Sequence, residues 1–204
     1  MKHYFLSTSC FVYNISDELS LDDNLKILAI YNVLKSDELF LKENSIYDIV
    51  PTYNSIAFHF SSLDVLQIEK NILDKISQIS HIEKATNTHI IEVDYSGLDT
   101  DRVCEYLAIS KAELIKLHTQ SEYHIAMLGF KPYFPYLLGM NERLQVPRLD
   151  KPRNRVAMGS IGIGGLQTAI FPVETPSGWN IIGQTNFRDF KNFKAGDKIV
   201  FREV

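Results

Sequence analysis

The segment from Leu128 to Thr185 constrains the fold of this chain more than any other part. It holds eight of the ten glycines and six of the seven prolines. Glycine reaches backbone conformations that other residues avoid, and proline fixes φ and removes a hydrogen-bond donor. Such a mixture predicts short strands joined by tightly specified loops. Loops held on a rigid scaffold commonly carry binding residues, so we expect a functional site in this segment.

The same segment is basic, although the chain as a whole is acidic. It has six Lys or Arg against three acidic residues, whereas the formal net charge of the chain is −4. A basic, aromatic and loop-rich segment in an acidic protein indicates a site for an anion. The overall acidity argues against nucleic acid as the main partner, because phosphate binding requires a basic face.

The composition is that of a folded globular protein with one large or two small domains. Of its 204 residues, 45% are hydrophobic and 23% are charged, which is typical of such chains. No apolar run approaches the roughly 20 residues of a membrane span, and the first residues do not resemble a signal peptide. We expect Cys10 and Cys104 to be reduced thiols in the cytoplasm. The histidine spacing predicts no metal site.

The first 86 residues alternate between strand and helix patterns. Apolar residues recur at three- and four-residue spacing in two stretches, which predicts two amphipathic helices, the first capped by Ser20. The order strand, helix, strand, strand, helix, strand is the ferredoxin-like arrangement. The predicted strands are 10–15, 45–50, 56–60 and one around Ile82, and the predicted helices are 20–35 and 64–79.

The remaining residues have a different pattern, in which short strands dominate. One strand and two short helices come first, and Ser110 and Glu113 form a capping box at the second helix. A run of short β segments punctuated by glycine and proline favours a barrel or sandwich. The predicted strands are 88–95, 123–128, 156–163, 167–172, 179–182 and 198–202, with helices at 101–107 and 111–119. We therefore predict an α+β chain with two domains, 1–86 and 87–204.

Spaced motifs run through the Gly/Pro-rich segment and extend over nearly the whole chain. They include Gly129-Phe130-x-Pro132-x-Phe134-Pro135-Tyr136, Pro147-Arg148, Pro152-Arg153, Gln167-Thr168, Gly178-Trp179, Ile182-Gly183-x-Thr185, Val93-x-Tyr95-x-Gly97 and Leu117-His118-Thr119. Together they resemble the family of 5-oxoprolinase B subunits. That family also takes in the sporulation-kinase inhibitor KipI and the first subunit of allophanate hydrolase.

This resemblance implies a fold and an activity. The fold would be an N-terminal ferredoxin-like βαββαβ domain followed by a C-terminal cyclophilin-like β-barrel domain. The activity would be that of an enzyme complex in which subunits A, B and C couple ATP hydrolysis to the conversion of 5-oxo-L-proline to L-glutamate. Two alternatives stay open: an inhibitor that binds a sensor histidine kinase, and an amide-hydrolysing component related to allophanate hydrolase.

The chain has no recognisable nucleotide-binding motif of its own. It contains no G-x-x-x-x-G-K-[ST] sequence, and Gly162-Ile163-Gly164-Gly165 lacks the third glycine and the following helix of a dinucleotide fingerprint. ATP is therefore expected to be bound by a partner subunit or across an interface. The chain also departs from the family's usual residues, with Tyr133 in place of a glycine and Gln184 in place of an arginine.

Three arginines, Arg148, Arg153 and Arg155, form the clearest candidate site. Guanidinium groups present a rigid fork of donors to carboxylate or phosphate oxygens, so the three could clamp an anion. They could equally pair with local acids or lie at a subunit interface. His118 could act as a general acid or base, or could simply complement the dipole at the end of its helix.

The remaining candidates would bind the substrate. Phe130, Phe134, Tyr136 and Trp179 could wall a pocket for a small planar ring, or belong to the barrel core or to the interface with the C subunit. Gln167 and Thr168 follow two glycines, which indicates either close approach of a ligand or a tight hairpin. The resemblance adds Thr185. We thus predict His118, Arg148 and Arg153 as catalytic, and Arg155 with the residues of this paragraph as substrate-binding.

Overall fold

The computed structural model describes residues 2–62, 64–79 and 86–204. The chain divides into two compact units, residues 1–85 and 86–204. Each unit has its own hydrophobic core.

In its described residues, the first unit is a four-stranded antiparallel sheet with three helices. The strand order is β1-β2-β4-β3. The elements are β1 Lys2–Ser7, β2 Cys10–Asn14, α1 Leu21–Ser36, α2 Glu38–Glu43, β3 Ile46–Pro51, β4 Ser55–Phe60 and α3 Val65–Ser77. Local chemistry sets the helix starts: Ser20 accepts a hydrogen bond from the backbone N–H of Asp23, and Asp64 accepts one from that of Gln67.

Two elements of the first unit were not predicted, and one predicted strand cannot be compared. Strand β1 lies at a sheet edge and is almost wholly exposed, so its sequence lacks the alternation of a half-buried strand. The helix α2 has only six residues, too few to show a helical repeat, although Phe40 and Leu41 pack against the core. The strand predicted around Ile82 falls outside the described residues, so the ferredoxin-like arrangement stays a prediction.

The second unit contains a seven-stranded sheet in the order β12-β9-β10-β7-β6-β13-β5. Strands β5 and β13 are parallel and the other pairs are antiparallel. The elements are β5 Thr88–Val93, α4 Thr100–Leu107, α5 Lys111–Thr119, β6 Glu122–Leu128, β7 Pro135–Leu138, β8 Arg153–Val156, β9 Ser160–Gly164, β10 Gln167–Ile170, β11 Thr175–Ser177, β12 Asn180–Gln184 and β13 Lys198–Glu203. Two 3-10 helices, Glu142–Leu144 and Phe190–Asn192, complete it.

One bridge nearly closes this sheet into a barrel. Asp94, just after β5, and Gln184, at the end of β12, exchange both backbone hydrogen bonds at 2.9 and 2.8 Å. The interior is filled by apolar side chains from most of the strands, with Ile91, Ile125 and Ile163 fully buried among them. The structure thus fits the predicted β-barrel. Strands β8 and β11 form a separate two-stranded ribbon.

The prediction of one strand over residues 156–163 was wrong. Val156 ends β8 in the ribbon, whereas Ser160 begins β9 in the barrel. Gly159 lies between them with a φ of +86°, a conformation that breaks a strand and favours glycine. Within the described ranges, no helix has the length and apolar character needed to cross a membrane.

Candidate functional site

Strands β9 and β10 separate two environments, because successive side chains of a strand point to opposite faces. Ile163 and Ile170 belong to the barrel core. Ala169 belongs instead to a second apolar cluster on the opposite, outer face of the sheet. Thr168 is directed into the barrel, where it contacts His118. By the same alternation Gln167 lies on the outer face with Ala169.

The outer face carries an aromatic cluster that unites most of the predicted pocket residues. Phe134 packs edge-on against Phe171 with ring centroids 5.2 Å apart, and the Tyr136 and Trp179 centroids are 6.1 Å apart. Phe134 and Trp179 are almost completely buried, and Tyr136 is half-buried. Phe130 touches only the edge of this cluster, at 5.8 Å from Phe134, and is 62% exposed.

Arg148 lies directly over this cluster. Its guanidinium carbon is 5.4 Å from the centre of the Trp179 ring, a cation–π arrangement. A Cβ atom on Gly164 would come within 3.2 Å of the Arg148 Cγ and 3.3 Å of the Trp179 ring, so the glycine lets both residues pack onto the strand. The Arg148 side chain is exposed and has no hydrogen bond or ion pair with any residue that the structure describes. It is available to bind an anion.

Gln167 contributes an amide to the same face. It pairs with Gly164 across the β9–β10 hairpin, and Arg148 packs over that glycine. The Gln167 side chain is only 8% exposed, and its Nε2 has no hydrogen-bond partner among the described residues. Buried amides are almost always paired, so this donor stands out. We call Arg148, Gln167, Tyr136 and Trp179 the Arg148 patch.

The other two predicted clamp arginines are already paired with carboxylates. Arg153 donates to both oxygens of Asp99, at 2.9 and 2.6 Å, and Asp99 also accepts a hydrogen bond from the backbone N–H of Ile181. Arg155 donates to Glu174 at 2.8 and 3.1 Å on the exposed surface. The two charges are therefore balanced within this chain, and the structure does not assemble a three-arginine clamp.

His118 lies inside the barrel, away from the Arg148 patch. It is fully buried, its Nδ1 is 2.7 Å from the Tyr95 hydroxyl, and its Nε2 is 3.1 Å from the Thr168 hydroxyl. Because Thr168 donates to the Gly162 carbonyl, it accepts from His118 Nε2–H. Nδ1 then accepts from Tyr95. Burial lowers the pKa of His118 to about 3, so the ring is neutral at pH 7.

Both ring nitrogens of His118 are occupied by groups of the barrel core. The histidine therefore has no position left for a proton transfer to a ligand at Arg148. His118 holds the Thr168 hydroxyl against the carbonyl of Gly162 on β9. This contact lies on the inner side of β9, and the Arg148 patch lies on the outer side. The Thr168 hydroxyl likewise contacts His118 and the Gly162 carbonyl, on the inner side of the sheet.

Thr185 and Gln184 hold the turn that precedes β9. The backbone N–H of Thr185 donates to the Gly159 carbonyl at 2.8 Å, and its hydroxyl accepts from the Phe187 N–H. The Gln184 amide donates to the Met158 carbonyl and accepts from the Ser160 hydroxyl. Gln184, which stands where the resemblance leads us to expect an arginine, is engaged in the turn.

Sequence reasoning missed Asn180, which positions the patch, and Asp99, which holds Arg153 and the backbone of β12. Asn180 is buried and donates from Nδ2 to the carbonyls of Pro147 and Ile163, at 2.9 and 3.2 Å. It thereby fixes the residue before Arg148 to β9. Asn180 follows Trp179 directly in the chain, which was an available signal. Asp99 gave none, because its partner Arg153 is 54 positions away.

Other parts of the second unit bring together fewer candidate site residues than the Arg148 patch. An open depression beside α5, lined by Glu113, Lys116 and Arg143 among others, contains no predicted site residue. Across the three described ranges, no group of three His, Cys, Asp or Glu side chains is close enough to hold a metal ion.

Comparison with known proteins decides the family. Residues 1–200 match the model of the carboxyltransferase domain, subdomain C and D. The chain belongs to this family. The 5-oxoprolinase B subunit of Bacillus subtilis (strain 168) is 34% identical over 170 residues, which are 78% of this chain and 70% of that protein. The protein of the same name from Escherichia coli O157:H7 is 43% identical over 94 residues, covering 46% and 43%. The resemblance read from the motifs is thus confirmed.

Solved structures agree with the fold. The conserved uncharacterized protein PH0987 from Pyrococcus horikoshii matches all of this chain and 97% of its own, with 28% identity and a TM-score of 0.56. TTHA0988 gives a TM-score of 0.82 at 24% identity, and the urea carboxylase of Kluyveromyces lactis gives 0.72 at 14%. This chain, 96% of which is matched in both cases, spans only 40% and 21% of those two chains.

Proposed function

We propose that this chain is the B component of an ATP-dependent 5-oxoprolinase complex, which converts 5-oxo-L-proline to L-glutamate together with subunits A and C. The names of its relatives support this proposal at the level of the complex. Arg148 is the observation that supports a substrate site in this chain. Its guanidinium packs against Trp179 and lacks an ion-pair partner among the described residues.

An arginine supported in this way suits a carboxylate ligand. The stacked ring limits the motion of the guanidinium while its N–H edges stay available for two parallel hydrogen bonds. Tyr136 borders the cation, and burial raises the pKa of its hydroxyl while the charge of Arg148 opposes that rise. A neutral phenol beside a cation is compatible with an anionic ligand. We infer that Arg148 binds the carboxylate of 5-oxoproline.

The patch supplies only part of a reaction site in this proposal. Opening the lactam requires an activated carbonyl, and transfer of the terminal phosphoryl group of ATP to the lactam oxygen would provide it. ADP leaves in that transfer, water adds to the activated carbon, and the ring C–N bond breaks to give the free amine and γ-glutamyl phosphate. A second water then hydrolyses this acyl phosphate to glutamate and phosphate. Such a transfer needs cations that stabilise the charge of the phosphoryl group. This chain has no nucleotide-binding motif, so we propose that a partner subunit binds ATP and completes the site.

Reconstitution tests the proposal. Purified chain, with and without subunits A and C, would be supplied with 5-oxoproline and ATP, and glutamate release measured. We expect activity only in the full set, and a fall in kcat/KM of at least about tenfold for Arg148→Gln, since a charge-assisted hydrogen bond is lost. Arg143→Gln is the matched control, because Arg143 is exposed and pairs with Glu113. Activity from the single chain, or none from the full set, would contradict the proposal.

A further inference from the structure

The Arg148 patch contains two polar groups of different chemistry. Arg148 offers a full positive charge at the surface, and Gln167 offers a neutral N–H that is buried and has no acceptor among the residues described. A buried donor without a partner is unfavourable in the free protein. It becomes favourable when a ligand brings an acceptor, so Gln167 selects for ligands that carry one.

The positions of the two groups limit the size of the ligand. Gln167 on β10 lies opposite Gly164 on β9, and the Arg148 side chain packs over Gly164. Neighbouring strands are about 4.8 Å apart. Arg148 and Gln167 therefore lie over neighbouring strands on one face, an arrangement that suits a small ring placed between the cation and the amide.

The surrounding side chains favour a ring over a polar linear molecule. Tyr136 pairs with Ala169 on the adjoining strand and so lies on the same face as Gln167. Trp179 is only 5% exposed, so its ring supports Arg148 from below and offers little free surface to a ligand. The half-buried Tyr136 is the aromatic member of the patch that a ligand ring can contact.

We propose that Arg148 and Gln167 form a two-point site for a small cyclic amide that bears a carboxylate. Arg148 binds the carboxylate, and Gln167 Nε2–H donates to the carbonyl oxygen of the ring. This inference rests on the proposed function and deepens it, because it fixes the orientation of 5-oxoproline: the carboxylate lies at the surface and the lactam carbonyl is directed towards the strand.

The chain has one tryptophan, Trp179, which provides a direct probe. Incorporation of 5-fluorotryptophan gives a single ¹⁹F signal beneath Arg148, both in the isolated chain and in a complex with unlabelled subunits A and C. Three ligands would be titrated: 5-oxo-L-proline, cyclopentanecarboxylate, which lacks the carbonyl, and 2-pyrrolidinone, which lacks the carboxylate. The dissociation constants follow from the shift of the ¹⁹F signal.

The two variants should have opposite ligand selectivity. Arg148→Gln should weaken binding of 5-oxoproline and cyclopentanecarboxylate by at least about tenfold and leave 2-pyrrolidinone unchanged. Gln167→Leu should weaken 5-oxoproline and 2-pyrrolidinone and leave cyclopentanecarboxylate unchanged. Should that variant fail to fold, Gln167→Met removes the donor with a side chain of similar shape. Arg143→Gln should bind all three ligands like the unaltered chain.

The outcomes separate this inference from the proposed function. Equal losses for all three ligands in either variant, or no response to 5-oxoproline in both the chain and the complex, would overturn the two-point site. Glutamate release that does not depend on Gln167 would also overturn it while the proposed function stands. The expected selectivity without glutamate release from the full complex would support the site and reject the proposed function.

Discussion

The three arginines between residues 148 and 155 differ in chemistry because their neighbours differ. Arg153 meets a buried carboxylate, Arg155 an exposed one, and Arg148 an aromatic ring. The sequence identifies the residue types and their basic setting. It does not show that Asp99 lies beside Arg153 across 54 positions, because such long-range contacts depend on the closure of the barrel.

The pair of Arg153 and Asp99 should contribute far more stability than that of Arg155 and Glu174. Asp99 is buried, so Arg153→Leu leaves its charge without a counterion and should lower the free energy of unfolding by about 2–3 kcal/mol. Arg155→Leu removes an exposed pair that solvent screens, so its effect on stability should be far smaller. Urea unfolding of both variants checks the difference, and equal losses would show that Asp99 is not held as described.

His118 should make stability depend on pH. Its pKa is lowered from 6.5 to about 3 in the folded chain, so the unfolded chain binds more protons between these values. Stability is therefore fully present above pH 6.5 and falls as the pH drops, by up to about 1.4 kcal/mol per unit from this group. His118→Gln should be less stable at pH 7 but have a shallower slope from pH 6 to 4. An unchanged slope in urea unfolding would mean that His118 is not buried and neutral.

At the scale of helices and strands, capping residues and apolar spacing predicted the helices whose starts and buried faces depend on nearby residues. The capping box at Ser110 starts α5 where expected, with Ser110 accepting from the Glu113 N–H. The apolar stripe of α3 buries Ile68, Ile72 and Ile76 as the spacing predicts. Strand β7 was missed because it begins at Pro135 and has only four residues. Its pairing with β6 and β10, rather than its own propensity, makes it a strand.

Gly97 should be indispensable for the contact between the segment before α4 and β12. A Cβ at Gly97 would lie 2.3–2.4 Å from backbone atoms of Ile181, Ile182 and Gly183, which no side-chain adjustment relieves. Gly97→Ala should therefore cost several kcal/mol, on the order of an overpacked core. Gly178→Ala is the control, because its Cβ would meet its nearest atoms at an ordinary 3.6 Å. Thermal unfolding of the two variants should differ clearly; similar midpoints would refute this close approach.

At the scale of the whole molecule, the barrel wall gives the second unit two chemically different faces. On the inside, Tyr95, His118 and Thr168 form a closed neutral network that ends on the Gly162 carbonyl. On the outside, the same strand supports Trp179 and Arg148. Sequence reasoning found nearly all of these residues and named histidine and arginine as catalytic candidates, but could not show whether they converge. The alternation of side chains along the strands puts His118 and Arg148 on opposite sides of the barrel wall. Which residues of a strand face inward cannot be assigned from sequence before the ends of the strand are known.

The second unit should fold without the first. Residues 86–204 contain every strand of the seven-stranded sheet, its Asp94–Gln184 closure and a complete apolar core, and a chain of this size buries enough surface to be stable. A fragment of these residues should unfold in one cooperative transition and keep the Trp179 fluorescence of the full chain. A fragment of residues 95–204 is the control: it lacks β5, which pairs with β13 along six positions, and should not unfold cooperatively. If the longer fragment also failed to do so, the barrel would depend on the first unit, and Arg148 would have to be tested only in the intact chain.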